Sequence, residues 1–236
     1  IYVPDPDIAR LSMGKPQEFG ALRQDWALEV SRAQAAIFAA MVENPSGSFL
    51  QVRRSSDIAD ARLAGKMCGI LHMEGADPIG EGLAELDEFE ALGLRSLGLV
   101  WSRPTVFAEG VPFRFPSSPD IGPGLTAAGF DLVRRLNEKR IMIDLSHLNE
   151  KGFWDVARTS SAPLVATHSN VHSLCPSSRN LTDPQLEAIR ASGGVVGLNL
   201  AGLFHVGESL QGVGSGLAAQ RGAAGSFFTG VLAVAV

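Results

Sequence analysis

Residues 140–180 read RIMIDLSHLNEKGFWDVARTSSAPLVATHSNVHSLCPSSRN. Two short apolar runs, Ile141–Leu145 and Pro163–Thr167, each lead into a histidine, His147 and His168. Between them Phe153, Val156 and Ala157 recur at i, i+3 and i+4, so Glu150–Ser160 is expected to form an amphipathic helix with Asn149 as its N-cap. Strand, helix, strand predicts a parallel βαβ unit. The two histidines then stand at the same, C-terminal ends of adjacent strands. In a (β/α) barrel that edge gathers the chemical groups, and neutral imidazole is the commonest metal ligand. A lone histidine at a strand end is usually just a satisfied polar residue. Two at equivalent positions suggest a metal site.

A third group joins them. Glu74 follows directly on the apolar run Gly69–Met73, again at a strand mouth, and its two oxygens can serve two metal ions. Glu74, His147 and His168 together match the ligand chemistry of zinc hydrolases. His72, two residues earlier, points to the same side of its strand. It reads as an inward-facing barrel residue below the mouth, with a His-x-Glu ligand pair as the rival. Asp144 is placed to orient a ligand from behind. Arg179 lies in the loop after the second histidine. Near a metal an arginine can clamp a carboxylate bidentately, although a solvated surface residue is its default, as it is for His172 in the same loop. Asn180-Leu181-Thr182 fits a glycosylation pattern, but Thr182 is better explained as a helix cap.

Outward from this stretch, β and α patterns alternate. Helices are expected at Ala21–Val42, at Ser56–Ala64 capped by Ser56 or Asp57, at Pro78–Leu92, at Leu125–Lys139, and from the capping box Thr182–Gln185 to Ala191. Strands are expected at Lys66–Met73, Leu94–Val100 and Val195–Leu200, besides the two histidine strands and a remnant at residues 1–3. Near-continuous apolar strands between helices mean a parallel sheet covered by helices. An open doubly wound sheet competes with a barrel, but no Gly-rich turn opens a helix after a strand. Ser102–Pro123 is a long loop of the kind that carries function.

The chain has 236 residues and a net charge of −5. That is enough for one large α/β domain. No basic run follows a phosphate backbone, so nucleic acid is not an expected partner. No stretch reads as a membrane span, and membrane attachment is not expected either. The two cysteines, Cys68 and Cys175, have no metal-type spacing, and fit a reduced, cytoplasmic setting. The chain opens on Ile-Tyr-Val-Pro, which reads as the end of a strand whose start is absent and predicts a fragment or a processed form.

The segments HMEGAD, LGLRSLGLVWSRPTVFAEG, GLTAAGFDLVRRLN, IDLSHLNEKGFWDV, PLVATHSNVHSLCPSSRNLTDPQLEAI and GGVVGLNL, in this order, resemble the membrane (renal) dipeptidase family of zinc metallopeptidases, in particular its bacterial branch. The resemblance covers roughly residues 1–205. It implies an α/β fold, the (β/α)8 TIM barrel of the metal-dependent hydrolase (amidohydrolase) type, with two zinc ions at the strand mouth. It also implies hydrolysis of dipeptides, including some with a D-residue at the C-terminal side. By it, Glu74 bridges both zincs, His147 and His168 hold the second zinc, and Arg179 holds the substrate carboxylate. Trp101 stands where other members place a substrate-contacting histidine.

Two family motifs have no counterpart. The first-strand His-x-Asp pair, which holds the other zinc, would precede Ile1. The last-strand Asp-Phe-Asp-Gly, whose first aspartate transfers a proton, is absent, so no catalytic proton-transfer residue is assigned. The expectation is an incomplete barrel, about strands 2 to 7, over residues 1–205, followed by a Gly/Ala-rich tail at 206–236. Such an open barrel is expected to be prone to aggregate, to hold at most one zinc through Glu74, His147 and His168, and to turn over little dipeptide. The alternatives are a truncated, non-catalytic product, and another amidohydrolase-type metal hydrolase such as a lactonase or deacetylase. A homodimer is left open.

Overall fold

The structure, a computed structural model, describes residues 1–4, 19–199 and 233–235. The elements run α1 (Gln24–Val42), β1 (Phe49–Val52), α2 (Ser55–Leu63), β2 (Met67–Glu74), α3 (Ala84–Ala91), β3 (Leu94–Gly98), α4 (Ala127–Glu138), β4 (Met142–Asp144), α5 (Glu150–Thr159), β5 (Val165–Ser169), α6 (Asp183–Ala191), β6 (Val195–Leu198) and β7 (Ala233–Ala235). The sheet order is β1-β2-β3-β4-β5-β6-β7. Strands β1 to β6 pair in parallel, and β7 joins β6 antiparallel. Six parallel strands curl into a half-barrel, the arrangement of an incomplete TIM barrel. Tyr2 bridges in parallel to Glu74, so the opening segment lies against the mouth end of β2.

The strand period sorts side chains between two environments. On β2, Leu71 and Met73 are buried, while His72 and Glu74, on the other face, belong to the polar interior. The helices contribute Leu86 and Phe89 of α3, Leu132, Val133 and Leu136 of α4, Phe153 and Val156 of α5, and Ile189 of α6, all fully buried in one apolar core with the outer faces of the strands. This is the layer that fixes the strands, and through them the groups at their ends. Among the described residues no helix is long and apolar enough to cross a membrane.

Several boundaries differ from expectation. β1 was not foreseen: Phe-Leu-Gln-Val is four residues long, and its pairing with Met67–Ile70 makes it a strand. α3 starts at Ala84 and not near Pro78, because Leu83 sits in the left-handed region at φ 60° and blocks a continuous helix. α2 has neither Ser56 nor Asp57 as N-cap. Arg54 holds that place, and the Asp57 carboxylate reaches back from the third helical position to the Arg53 and Arg54 amides. The proposed tail at 206–236 lies outside the described residues apart from β7.

Asn149 does cap α5, accepting from the Gly152 amide at 2.9 Å. Its amide group also donates to the carbonyls of Ile121 and Pro123, tying the long loop to the helix start. Asn149→Ala removes the cap and strands two carbonyls at a residue only 1% exposed. A loss of about 2–4 kcal/mol is expected, read as a lower urea midpoint. A loss below about 0.5 kcal/mol, the size of an ordinary surface change, would remove Asn149 from this tying role.

Candidate metal centre

Glu74 closes β2, His168 lies within β5, and His147 lies three residues past the end of β4. His147 was expected to end its strand directly. Instead its backbone is left-handed at φ 69°, a conformation an L-residue adopts only when its surroundings impose it. Here the imposing contacts come from the long loop. The Val111 amide donates to the His147 carbonyl at 2.8 Å, and Gly110 bridges to Leu148. The Ser102 hydroxyl meets His147 Nδ1 at 2.8 Å.

The three side chains converge. Glu74 Oε1 lies 3.1 Å from His147 Nε2 and 3.1 Å from His168 Nε2, and the two Nε2 atoms are 3.0 Å apart. Among the described residues this is the one group of three potential ligands whose atoms lie within 4.8 Å of one another. A tetrahedral ion with bonds of about 2.0–2.1 Å spaces its ligands roughly 3.4 Å apart, so the triangle has nearly the size a metal needs. Hydrogen bonds alone do not satisfy it. With both rings neutral, each Nε2 carries either one proton or one lone pair, and three edges of this length among three such atoms always leave two lone pairs facing or two protons facing. A cation seated over the triangle removes that conflict. The donor set fits a metal ion.

The electrostatics agree. Burial lowers the His147 pKa to about 3, helped by the nearby Arg179 charge and opposed by Glu74. The ring is thus neutral, its metal-binding form, at physiological pH. Burial alone would raise the Glu74 carboxyl, but the facing histidine nitrogens outweigh it and hold the group well below the usual carboxylate range. The second Glu74 oxygen makes no hydrogen bond among the described residues, which leaves it open to a further ligand.

Behind the triangle sits a polar layer. Asp144 is 2% exposed. Its Oδ1 accepts from the Ser146 and Thr167 amides at 3.0 and 2.9 Å, and its Oδ2 from the Thr167 hydroxyl. Burial pushes this carboxyl up, but His72, His168 and the Thr167 donors prevail and lower it. His72 bonds Ser96 Oγ through Nδ1 at 2.8 Å and faces Asp144 at 3.8 Å. It is an inward residue below the mouth, not a member of the ligand triangle.

Arg179 is only 3% exposed, contrary to its default as a surface residue. Its guanidinium donates to the His168 carbonyl at 3.1 Å. Burial lowers its pKa to about 10, against the pull of the Asp144 and Glu74 carboxylates, so it remains charged near neutrality. His172 is likewise not simply solvated: its Nε2 meets the Ser117 carbonyl at 2.8 Å, strapping the 171–181 loop to the long loop. Trp101 is 8% exposed and lies 5.8 Å, ring to ring, from His147. Phe113 lies 6.3 Å from His147 and 5.4 Å from Trp101. Behind Trp101, Arg103 packs over the indole at 5.1 Å while paired with Asp77 at 2.8 Å.

Sequence reasoning missed Ser102, Phe113 and Thr167. Thr167 carried a signal, a hydroxyl immediately before a candidate ligand. Phe113 carried only its place in a Phe- and Pro-rich loop.

Known proteins are similar in fold and sequence. The solved metallo peptidase from Rhodobacter sphaeroides, liganded with a phosphinate mimic of the dipeptide L-Ala-D-Ala, superposes with a TM-score of 0.86 at 46% identity, over 94% of this chain and 68% of that one. A second solved metallo peptidase, a dipeptidase of family M19, gives 0.85 at 48% identity, over 94% and 67% of the two chains. An uncharacterized protein in the pqqA 5′ region of Klebsiella pneumoniae is 46% identical over 178 residues, 75% of this chain and 65% of its own length. The chain therefore spans somewhat less than two thirds of that relative. The model of the membrane dipeptidase family, peptidase family M19, matches residues 15–214. By that match, and by the half-barrel that brings Glu74, His147 and His168 together, the chain belongs to the membrane dipeptidase family.

Proposed function

We propose that this site serves the zinc-dependent hydrolysis of dipeptides, those with a C-terminal D-residue included. The observation that carries the reading is the triangle of Glu74 Oε1, His147 Nε2 and His168 Nε2, with edges of 3.0–3.1 Å. Two imidazoles and a carboxylate suit zinc. When bound, the metal supplies an acidified water for attack on the amide and positive charge for the carbonyl oxygen. The remaining work falls to the chain's own residues. Trp101 and Phe113 form an apolar wall beside His147, which excludes bulk water and strengthens the electrostatic interactions within. Arg179 supplies a permanent buried positive charge near the ligands, suited to the free carboxylate of a dipeptide. The L-Ala-D-Ala mimic held by the Rhodobacter sphaeroides protein supports a small substrate with a free carboxylate and tolerance of a D-residue.

The test is turnover by the zinc-supplied chain. L-Ala-D-Ala should be hydrolysed, only slowly because the His-x-Asp and Asp-Phe-Asp-Gly motifs have no counterpart in these residues, and its N-acetyl derivative should not. Hydrolysis of the acetylated compound alone would point to a deacetylase. Zinc binding with no turnover of either would overturn the catalytic reading and leave a metal-binding chain.

A sharper expectation concerns Arg179. Arg179→Lys keeps the charge and loses the planar fork. KM for free dipeptides should rise about tenfold, the effect of roughly 1.4 kcal/mol, with little change for C-terminally amidated ones. If both substrates suffer alike, Arg179 acts on the fold, through its bond to the His168 carbonyl, and not on the substrate.

A further inference from the structure

We infer that Thr167, held by Asp144, is a positioning residue that fixes His168 in the Nδ1–H tautomer and so turns the Nε2 lone pair toward Glu74 and His147. The inference rests on the metal-centre reading for its purpose, but its geometry stands alone.

The hydroxyl of Thr167 has one proton and two neighbours that could take it. One is Asp144 Oδ2, and the other is His168 Nδ1 at 2.7 Å. Asp144 Oδ1 is already met by the amides of Ser146 and Thr167 at 3.0 and 2.9 Å. For Oδ2 the other polar neighbours are too distant for a hydrogen bond: His72 Nε2 at 3.8 Å and His168 Nδ1 itself at 3.9 Å. If the threonine proton turned to His168, a carboxylate oxygen buried to 2% exposure would lose its close donor, and a buried unmet acceptor is costly. The proton therefore stays on Asp144. Thr167 Oγ1 is then an acceptor toward the ring, and His168 Nδ1 must donate to it. A neutral imidazole has one N–H, so Nε2 carries a lone pair.

The opposite tautomer has its own attraction in the metal-free chain, since an Nε2–H could donate to Glu74 Oε1 at 3.1 Å. That tautomer leaves Nδ1 bare, so either its lone pair faces the Thr167 oxygen at 2.7 Å or the Thr167 proton leaves the buried Asp144 carboxylate for it. The relay therefore prepares His168 as a ligand before any ion arrives. His147 has no such device. Among the described residues its Nδ1 meets only the Ser102 hydroxyl, which can donate or accept equally well. Of the two histidines, His168 is the preset one and His147 adapts.

The test uses side-chain nitrogen NMR on the metal-free full chain at about pH 8, above the ordinary histidine range. His168 should show a protonated Nδ1 and a bare Nε2. Thr167→Val keeps the shape and removes the hydroxyl, and should give mixed or reversed tautomers with zinc affinity about 10–100-fold weaker, the usual effect of losing a ligand's supporting bond. Thr167→Ser keeps the hydroxyl and should restore both readouts. An Nε2–H signal for His168 in the parent chain overturns the inference with no need of a variant, as does a valine variant with unchanged tautomer and affinity. If the parent shows the Nδ1–H form, and valine abolishes it, yet no zinc binds, the relay stands and the metal reading falls.

Discussion

Glu74→Gln should cost the chain its tight zinc binding while leaving it folded. The carboxylate is the only anionic member of the triangle, and its Oε1 sits 3.1 Å from both imidazole nitrogens. Removing one partner from a partly buried charged cluster costs about 3 kcal/mol or more, on the order of a hundredfold in affinity. Glutamine has nearly the same shape, so the apolar packing of Leu71 and Met73 on the far face of β2 is untouched. Without metal the change even relieves a conflict, because the new amide N–H can donate to the His168 lone pair. The expected result is therefore a split: a zinc dissociation constant raised at least about a hundredfold, with the metal-free melting temperature unchanged or slightly raised. Competition with a chromophoric chelator measures the first, and calorimetry without metal the second. Zinc affinity within about threefold of the parent, less than 1 kcal/mol, would mean that the ion is held elsewhere. A lower metal-free melting temperature would mean that Glu74 supports the fold as well as the ion.

How far sequence reaches differs between these features. α4 and α5 were legible because one face of each repeats at helical spacing, with Asn149 announcing the start of α5, and α6 was legible from its Thr182–Gln185 capping box. The convergence of Glu74, His147 and His168 followed from a single inference, that parallel strands deliver their C-terminal ends to one edge. The misplaced details share a physical cause: they depend on partners distant in the chain. β1 is a strand because β2 pairs with it, and Arg179 is buried because the 171–181 loop folds beneath the long loop. The left-handed backbone at His147 needs Val111, 36 positions upstream, to hold its carbonyl. The Thr167 relay needs Asp144 from the neighbouring strand. Local pattern identifies a ligand, but the contacts that orient it are tertiary.

That long-range support makes a glycine far from the ligands the other sensitive point. Gly110→Ala should both unfold the chain readily and weaken the site. A Cβ built on Gly110 would lie 1.8 Å from the Trp101 carbonyl oxygen and 2.6 Å from the backbone nitrogen and oxygen of Arg103. All three are backbone atoms, so no flexible side chain can swing clear. The Trp101–Arg103 segment is pinned in turn by the buried Arg103–Asp77 pair and by Arg103 donating to the Val3 carbonyl. Relief can come only by pulling Gly110 away, which breaks its bridge to Leu148 and the neighbouring Val111–His147 bond. Overpacking of this kind costs about 1–3 kcal/mol, and more where the backbone cannot yield. We expect a loss of about 3 kcal/mol in urea unfolding and, in the folded fraction, zinc affinity about tenfold weaker as His147 loses its imposed conformation. Gly82→Ala is the matched control, since nothing lies within 4 Å of its Cβ, and it should change neither quantity. A Gly110→Ala chain as stable as that control would mean that the long loop rests loosely on the mouth, and that His147 holds its left-handed backbone without it.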